Sequence, residues 1–326
     1  MIKTTTDYLK DSRVLVIGGA GFIGSFVVEE LLKENVKEVI IYDNFTRGKI
    51  DNIKKYLDDK RCYVFPYGGD IRDIDILDRA FEGIDFVFHL AAMWLLHCMD
   101  FPRTAFEVNI YGTFNVLEMC VKHKVKKLIF SSSASVYGDA VEIPMTETHP
   151  FNNKNFYGAT KISGEAMLTA FHHRYGLNAI GLRYMNIYGP RQDEKGAYSG
   201  VIPTVLKRID HNESIVINGD GSQAYDFVYV KDAAYANICA LKSDVNFGFY
   251  NVATGVQTSI RQLVDTILDL TGAKIDVIYK PYDVGDERQF VKNRIGCPLR
   301  AEKDLGFKYR YTLRDGLKEY IEWRKK

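Results

Sequence analysis

The stretch that decides the fold is residues 14–24, which read Val14-Leu15-Val16-Ile17-Gly18-Gly19-Ala20-Gly21-Phe22-Ile23-Gly24. Its apolar residues predict a strand that runs into glycines at 18, 21 and 24, then into an amphipathic helix through about Lys33. Glycines at this spacing allow a tight turn, close approach of the backbone to a phosphate, and close packing of helix on strand. The stretch therefore predicts a strand–turn–helix unit whose helix N-terminus faces an anion.

A second predicted strand, Glu38–Tyr42, ends at Asp43, about 20 residues beyond the glycines. A carboxylate at this place accepts a hydrogen bond from an adenosine ribose, and it repels the 2′-phosphate of NADP. The pair of signals therefore predicts an NAD site rather than a glycine-rich turn without a ligand. Arg47 and Lys49 follow in the chain, and their positive charges weaken the preference for NAD over NADP.

Apolar strands alternate with helical stretches through about residue 186, which predicts an α/β fold with a Rossmann-type, doubly wound parallel sheet. After Gly189 the pattern loosens, with a predicted helix at Ile202–Ile209 and a short strand at Ser214–Ile217. We expect a nucleotide-binding domain of residues 1–186 plus about 226–252. Residues 187–225 plus about 253–326 then form a smaller α/β C-terminal substrate lobe, with the site in the cleft between them.

Composition excludes several other classes of protein. The chain has 326 residues and a net charge of +1, so it carries no basic footprint for nucleic acid. The longest apolar candidate, residues 14–32, contains four glycines and two glutamates and predicts no membrane span. Five cysteines without metal-ligand spacing predict reduced thiols in the cytoplasm and no metal site.

A second signature combines Ser133 in Ser131–Gly138 with Tyr157 and Lys161. A phenol has a pKa of about 10 and is a poor base near neutral pH. On a helix, a lysine four residues later lies on the same face, and its ammonium favours the phenolate. The serine hydroxyl can hold the same substrate oxygen, so the three residues are candidates for proton transfer. By itself, Tyr-x-x-x-Lys is more often an exposed helix face.

Together the two signatures resemble those of the extended short-chain dehydrogenase/reductases, in particular the nucleotide-sugar epimerases and dehydratases. The resemblance covers nearly the whole chain. Four further segments carry it, in the family's order: Gly69–Asp73, Phe88–Ala92, Val108–Thr113 and Leu182–Arg191.

The resemblance implies roles for individual residues. It adds Asn109 to Ser133, Tyr157 and Lys161 as a catalytic residue. The implied NAD-binding residues are Gly18, Gly21, Phe22, Ile23, Gly24, Asp43, Asn44, Asp70, Ile71, Leu90, Ala91, Ala92, Tyr157 and Lys161. The implied substrate-binding residues are Trp94, Ser133, Ser135, Asn186, Arg191, Tyr225 and Arg288. Relatives pair through the helices that contain Asn109 and Lys161, which implies a homodimer.

The resemblance also implies a reaction through a 4-keto sugar. Dehydratases of the family carry an Asp-Glu pair after the catalytic hydroxyl residue, where this chain has Ala134 and Ser135. Neither side chain can transfer a proton near neutral pH, so C4 epimerisation of a nucleotide sugar is expected. Segments 189–192, 196–198 and 201–203 resemble loops of UDP-N-acetylhexosamine 4-epimerases and favour a UDP-sugar. A 4-dehydrogenase, a decarboxylase, a multi-position epimerase and a non-catalytic NAD-binding protein remain alternatives.

Two departures from the family's sequence pattern concern residues that bind the diphosphate of the substrate. Relatives commonly have arginines where this chain has Tyr225 and Asp283, and the candidates to replace them are Arg191, Arg288 and Arg294. A third oddity is the segment Met93–Met99, where Trp94 could stack on a sugar and His97 could act as an acid or base. The alternative for His97 is ordinary packing at the start of a helix.

Overall fold

A computed structural model describes residues 8–193, 200–281 and 293–325. The strands are β1 (Arg13–Ile17), β2 (Glu38–Tyr42), β3 (Cys62–Val64), β4 (Phe86–His89), β5 (Lys127–Ser133), β6 (Ala179–Tyr184), β7 (Asn186–Tyr188), β8 (Ile215–Asn218), β9 (Ala224–Tyr225), β10 (Phe227–Tyr229), β11 (Phe247–Val252), β12 (Thr258–Ser259), β13 (Val277–Lys280) and β14 (Asn293–Arg294).

The α-helices are α1 (Phe22–Leu31), α2 (Ile50–Ile53), α3 (Ile74–Ala80), α4 (Leu95–Asp100), α5 (Pro102–Ala105), α6 (Thr113–Lys122), α7 (Phe156–Tyr175), α8 (Val201–Asp210), α9 (Val230–Lys242), α10 (Ile260–Thr271), α11 (Leu299–Leu305) and α12 (Leu313–Arg324). A π-helical segment, Phe106–Gly112, joins α5 to α6, and two short 3₁₀ turns cover Lys54–Tyr56 and Ala134–Val136.

Seven parallel strands form the main sheet, in the order β11-β6-β5-β4-β1-β2-β3. The chain winds outward from β1 in one direction through β2 and β3, and in the other through β4, β5 and β6. This is the doubly wound Rossmann arrangement that the sequence predicts. In such a sheet the ligand lies at the carboxyl ends of the strands, where the order reverses between β1 and β4.

Helices cover both faces of this sheet, as the burial of β1 shows. Val14 and Val16 join one apolar cluster, which includes side chains of α1 and α9. Leu15 and Ile17 join a second cluster, which includes side chains of α6 and α7. Because successive strand residues point to opposite faces, a continuous apolar strand is what a sheet covered on both sides requires.

The C-terminal part adds three small sheets: β12-β9-β14, β13-β8 and β10-β7. The predicted helix at 202–209 is found as Val201–Asp210, and the predicted strand at 214–217 is found one residue later, as Ile215–Asn218. Strand β11 extends the main sheet beside β6. The division of the chain into two domains at these boundaries stays a prediction.

Candidate active site

The glycine turn after β1 is shaped by contacts that leave no room for larger residues. Gly18 has a φ of 82°, and a Cβ on Gly24 would lie 2.1 Å from the Gly18 carbonyl oxygen. A Cβ on Gly18 would meet the Ala91 backbone nitrogen at 2.7 Å. At Gly21, by contrast, a Cβ would have only the Gly18 oxygen within 4 Å, at 3.1 Å. The Gly21 face is therefore open to a ligand that approaches the backbone.

Asp43 lies beside this turn, directly after β2. Its carboxylate accepts hydrogen bonds from the backbone N–H groups of Ala20 at 2.9 Å and Phe45 at 2.8 Å. Burial raises the pKa of Asp43, while those two hydrogen bonds oppose the shift. The remaining lone pairs of a carboxylate held in this way can accept from ribose hydroxyls.

A cleft of about 560 Å³ runs along the carboxyl ends of the strands. Every predicted NAD-binding residue lines it, from the glycine turn and Asp43 to the loop after β4 and the first turn of α7. Residues of the loops at 46–49 and 191–193 line it as well. The cleft thus brings together segments that are far apart in the chain.

Ser133, Tyr157 and Lys161 also line the cleft. Ser133 ends β5, and α7 begins just before Tyr157, where Asn155 caps the helix by accepting from the Gly158 N–H at 2.8 Å. The Lys161 Nζ donates to the Ser131 carbonyl at 2.7 Å and lies 5.6 Å from the centroid of the Tyr157 ring. The sequence predicts that these three side chains lie close together, and in the structure they line the same cleft.

The electrostatics of Tyr157 differ from the expectation based on Lys161. Burial raises the pKa of Tyr157 to about 12, and a hydrogen bond with Ser133 and the guanidiniums of Arg294 and Arg47 oppose that shift. Burial also lowers the pKa of the Lys161 ammonium to about 8. The Lys161 ammonium donates to the Ser131 carbonyl. The cations that lower the pKa of the Tyr157 phenol are Arg294 and Arg47, whereas the sequence suggested Lys161 for this role.

A sequence profile described as the NAD-dependent epimerase/dehydratase family matches residues 14–253. This chain belongs to that family. A relative named putative UDP-glucose 4-epimerase, from Methanocaldococcus jannaschii, is 37% identical over 318 residues, which cover 96% of this chain and 98% of the relative.

Solved structures agree with this assignment. A UDP-N-acetylglucosamine 4-epimerase from Methanobrevibacter ruminantium, in complex with UDP-N-acetylmuramic acid, is 36% identical, with a TM-score of 0.90 and coverage of 97% and 99% of the two chains. A UDP-glucose 4-epimerase from Thermotoga maritima, with UDP-glucose, is 35% identical, with a TM-score of 0.87 and coverage of 96% and 98%.

NAD is the family's cofactor, and the residues present fit it. The open Gly21 face and the N-terminus of α1 suit a pyrophosphate, and the Asp43 carboxylate suits a ribose. Asp43 also lies against Gly48, where a Cβ would meet its Oδ1 at 2.6 Å. A ribose 2′-phosphate beside this half-buried carboxylate would be repelled, which favours NAD over NADP.

The NADP-favouring charges of Arg47 and Lys49 are partly neutralised. Arg47 lies 3.7 Å and Lys49 3.9 Å from carboxylate oxygens of Asp193. The Arg47 guanidinium also lies 4.8 Å from the centroid of the Trp94 ring. Arg47 and Asp193 are therefore members of the epimerase cleft that were not predicted as site residues. The position of Arg47, four residues after Asp43, was the available signal.

Trp94 and His97 line the cleft, as a role beside the bound sugar requires. Their ring centroids are 5.4 Å apart, and His97 also packs edge-on against Phe101 at 6.3 Å. A tryptophan in this position can stack on an apolar sugar face.

Asn109 lies behind the cleft wall and is not among the residues that line it. It is buried in the π-helical segment, where its Oδ1 accepts from the Met93 N–H at 2.6 Å. Its Nδ2 lies within donating distance of the Met93 carbonyl at 2.9 Å and the Thr160 Oγ1 at 3.1 Å. These contacts join the loop after β4 to α7, so Asn109 positions the residue next to Lys161 rather than touching the cleft.

Three other predicted substrate residues, Ser135, Asn186 and Tyr225, lie outside the cleft. Ser135 is buried, and its N–H donates to the Ser133 Oγ at 3.1 Å. The Asn186 Nδ2 donates to the Asp226 carbonyl at 3.2 Å. Neither residue lines this cleft, and neither does Tyr225, in β9. Arg288 and residues 196–198 lie outside the described residues.

Arg191 lines the cleft, but its guanidinium is used elsewhere. It donates to the Ser25 Oγ at 3.0 Å and the Tyr56 hydroxyl at 2.9 Å, and it pairs with Glu29 at 3.3 Å. It also lies 4.1 Å from the centroid of the Phe26 ring. These contacts hold the loop after β7 against α1. Arg191 is therefore a poor replacement for a diphosphate-binding arginine.

Proposed function

We propose that this protein is an NAD-dependent epimerase that inverts C4 of a nucleotide-activated sugar, with a UDP-hexose or UDP-N-acetylhexosamine as substrate. The observation that carries the proposal is the convergence of Ser133, Tyr157 and Lys161 on one cleft with the glycine turn and Asp43. The names of the relatives and the substrates in their structures support the choice of a UDP-sugar.

In the proposed reaction, the Tyr157 phenolate removes the proton of the C4 hydroxyl while Ser133 holds the same oxygen by a hydrogen bond. NAD⁺, held by the glycine turn and Asp43, would supply the redox chemistry, namely exchange of a hydride with C4 of the sugar. Tyr157 then gives the proton back. We assign to Lys161 the binding of the nicotinamide ribose, as the resemblance implies, while Arg294 and Arg47 are the cations whose charges lower the pKa of the Tyr157 phenol.

Loss of water from the 4-keto sugar is disfavoured, because it needs an acid and a base beside C5 and C6. The two positions after Ser133 hold Ala134 and Ser135, and both side chains are buried within a 3₁₀ turn. Neither offers a carboxyl group. Direct return of the hydride is therefore the simplest outcome, and it regenerates NAD⁺ in each turnover.

The experiment is to incubate the purified protein with UDP-glucose and with UDP-N-acetylglucosamine in D₂O and to follow the sugars by NMR. We expect the C4 epimer of one or both, with every sugar carbon unlabelled by deuterium. Deuterium at C3 or C5 would contradict simple C4 epimerisation and indicate a multi-position epimerase. Net NADH accumulation would indicate a 4-dehydrogenase, and CO₂ released from a UDP-uronate would indicate a decarboxylase.

We also propose a cytoplasmic homodimer that serves carbohydrate metabolism, such as polysaccharide biosynthesis. All five cysteines are free thiols, which suits a reducing compartment. No helix within the described ranges is long and apolar enough to cross a membrane. Support for the dimer comes from exposed aromatic side chains near Asn109 and on α6 and α7, namely Phe106, Tyr111, Phe114, Phe156 and Tyr175.

A further inference from the structure

Glu165 is a buried carboxylate that joins helix α7 to strand β5. It lies on α7 one turn after Lys161 and two turns after Tyr157. Its Oε1 accepts from the Ser132 Oγ at 2.6 Å, and Ser132 directly precedes Ser133 in β5. Because residues four apart on a helix share a face, Glu165 and Lys161 both face the strand that carries the serines.

A second contact joins the same two elements next to this hydrogen bond. The Lys161 Nζ donates to the Ser131 carbonyl at 2.7 Å. Ser131 and Ser132 are neighbours, so α7 holds the end of β5 at two successive residues, once through a cation and once through an anion. Ser133 is the next residue, the last of β5, and it lines the cleft. A movement between α7 and β5 would therefore change the position of Ser133 relative to Tyr157.

The Glu165 carboxylate is fixed on its other side by Arg183 in β6. Arg183 lies opposite Ser132 in the sheet, and it donates from Nε to Oε1 at 2.9 Å and from Nη2 to Oε2 at 2.7 Å. Its Nη1 donates to the Tyr137 hydroxyl and the Glu147 carbonyl, each at 2.9 Å. A charge pair with two such hydrogen bonds fixes direction as well as distance. Glu165 therefore cannot turn away from Ser132 without breaking a buried ion pair.

Glu165 does not line the cleft, so its effect on the reaction must pass through its neighbours. We propose that Glu165 is a positioning residue for the proton transfer. Its hydrogen bond to Ser132 sets the distance between β5, which carries Ser133, and α7, which carries Tyr157. The proposal rests on the proposed function, since it takes these two side chains to share the C4 oxygen of the sugar. A displacement of about 1 Å between reacting groups can lower a rate about 100-fold.

The choice of variants follows from the ion pair. Removing Glu165 alone would leave the buried Arg183 guanidinium unpaired, and such a variant can fail to fold. Ser132→Ala deletes the hydrogen bond and keeps the ion pair. The matched control is Ser12→Ala, which deletes a buried hydrogen bond of the same 2.6 Å length, from the Ser12 Oγ to the Leu9 carbonyl. Ser12 directly precedes β1, at the end of the sheet opposite the cleft.

The measurements are urea unfolding and the kcat and KM for the preferred UDP-sugar, with rates expressed per bound dinucleotide. A purely structural effect would lower the stability of both serine variants and leave kcat alike. We expect Ser132→Ala to lower kcat about 10- to 100-fold with KM within about 2-fold of the wild type, and Ser12→Ala to keep both constants. Equal kcat in the two variants, or a change confined to KM, overturns the inference and leaves the proposed function standing. No turnover of any UDP-sugar by the wild type overturns both.

A combined variant shows whether Ser132 acts through Glu165. Glu165→Leu together with Arg183→Met replaces the ion pair by apolar side chains, a change that buried pairs often tolerate. It should lower kcat as Ser132→Ala does. Adding Ser132→Ala should then cost less than about 2-fold more, because the hydrogen bond is already absent. A further loss equal to that of Ser132→Ala alone would show that Ser132 acts on the substrate directly, and this result overturns the positioning role of Glu165.

Discussion

At the scale of single residues, the proposed proton transfer depends on the phenol of Tyr157. Tyr157→Phe removes one oxygen from a side chain that lines the cleft and leaves the ring packing in place. We expect normal folding, retained NAD and a loss of epimerisation of about 10²- to 10⁴-fold, the usual contribution of an acid–base group. Turnover of the preferred UDP-sugar and absorbance of the bound dinucleotide measure the two effects. Tyr67→Phe, at an exposed tyrosine, is the control, and normal turnover in Tyr157→Phe would move the proton transfer to another group.

Lys161 predicts a particular pH dependence of stability. Its pKa is about 8 in the folded protein, below the value of about 10.4 in an unfolded chain. Between these two values the unfolded chain binds more protons, so the free energy of unfolding rises with pH there. Below pH 8 both states are protonated, and the full cost of burying the ammonium is present.

Replacing Lys161 with Met removes this titration and leaves the Ser131 carbonyl without its donor. From pH 7 to pH 10, we expect the wild type to gain about 2–3 kcal/mol in free energy of unfolding relative to Lys161→Met. Urea unfolding at several pH values gives the comparison, and curves that stay parallel would contradict it. The variant should also bind NAD more weakly and lose activity.

At the scale of elements, we expect two glycines of the turn between β1 and α1 to differ in effect. Gly24 should matter for stability, and Gly21 should matter for binding of NAD. In Gly24→Ala, the new Cβ would lie 2.1 Å from the Gly18 oxygen, so the helix must move away from the strand. We expect a loss of about 1–3 kcal/mol in free energy of unfolding, as for other overpacked sites. In Gly21→Ala, the Cβ meets only the Gly18 oxygen, at 3.1 Å, and otherwise enters the cleft.

Gly21→Ala should therefore unfold within about 1 kcal/mol of the wild type but retain far less dinucleotide, because the methyl group occupies the approach of the pyrophosphate. The two variants serve as controls for each other. Urea unfolding and the absorbance of dinucleotide released on denaturation measure both quantities. Equal stability together with equal NAD content in the pair would show that the turn does not hold the cofactor.

At the scale of the whole molecule, local signals predicted the parts of the structure that depend on local chemistry. The strand–turn–helix unit, Asp43 at the end of β2, and the alignment of Tyr157 with Lys161 each follow from short-range spacing, and the doubly wound sheet follows from the alternation of elements. The side-chain partners of Arg191 were not predictable, because Glu29 and Tyr56 are more than 130 residues away in the chain. The effect of Arg294 on the pKa of Tyr157 was not predictable for the same reason, because the two residues are far apart in the chain.

Association of two chains gives the last prediction, which concerns a surface that the fold leaves exposed. Phe106 and Tyr111 are 49% and 46% exposed on the π-helical segment, next to Asn109. A second copy would bury these rings, so Phe106→Glu combined with Tyr111→Glu should convert the proposed dimer to a monomer by placing like charges across the interface. Light scattering after gel filtration measures the mass. Ile278→Glu, at an isoleucine 41% exposed on β13, should stay dimeric. A wild type that elutes as a monomer would contradict the proposed pairing.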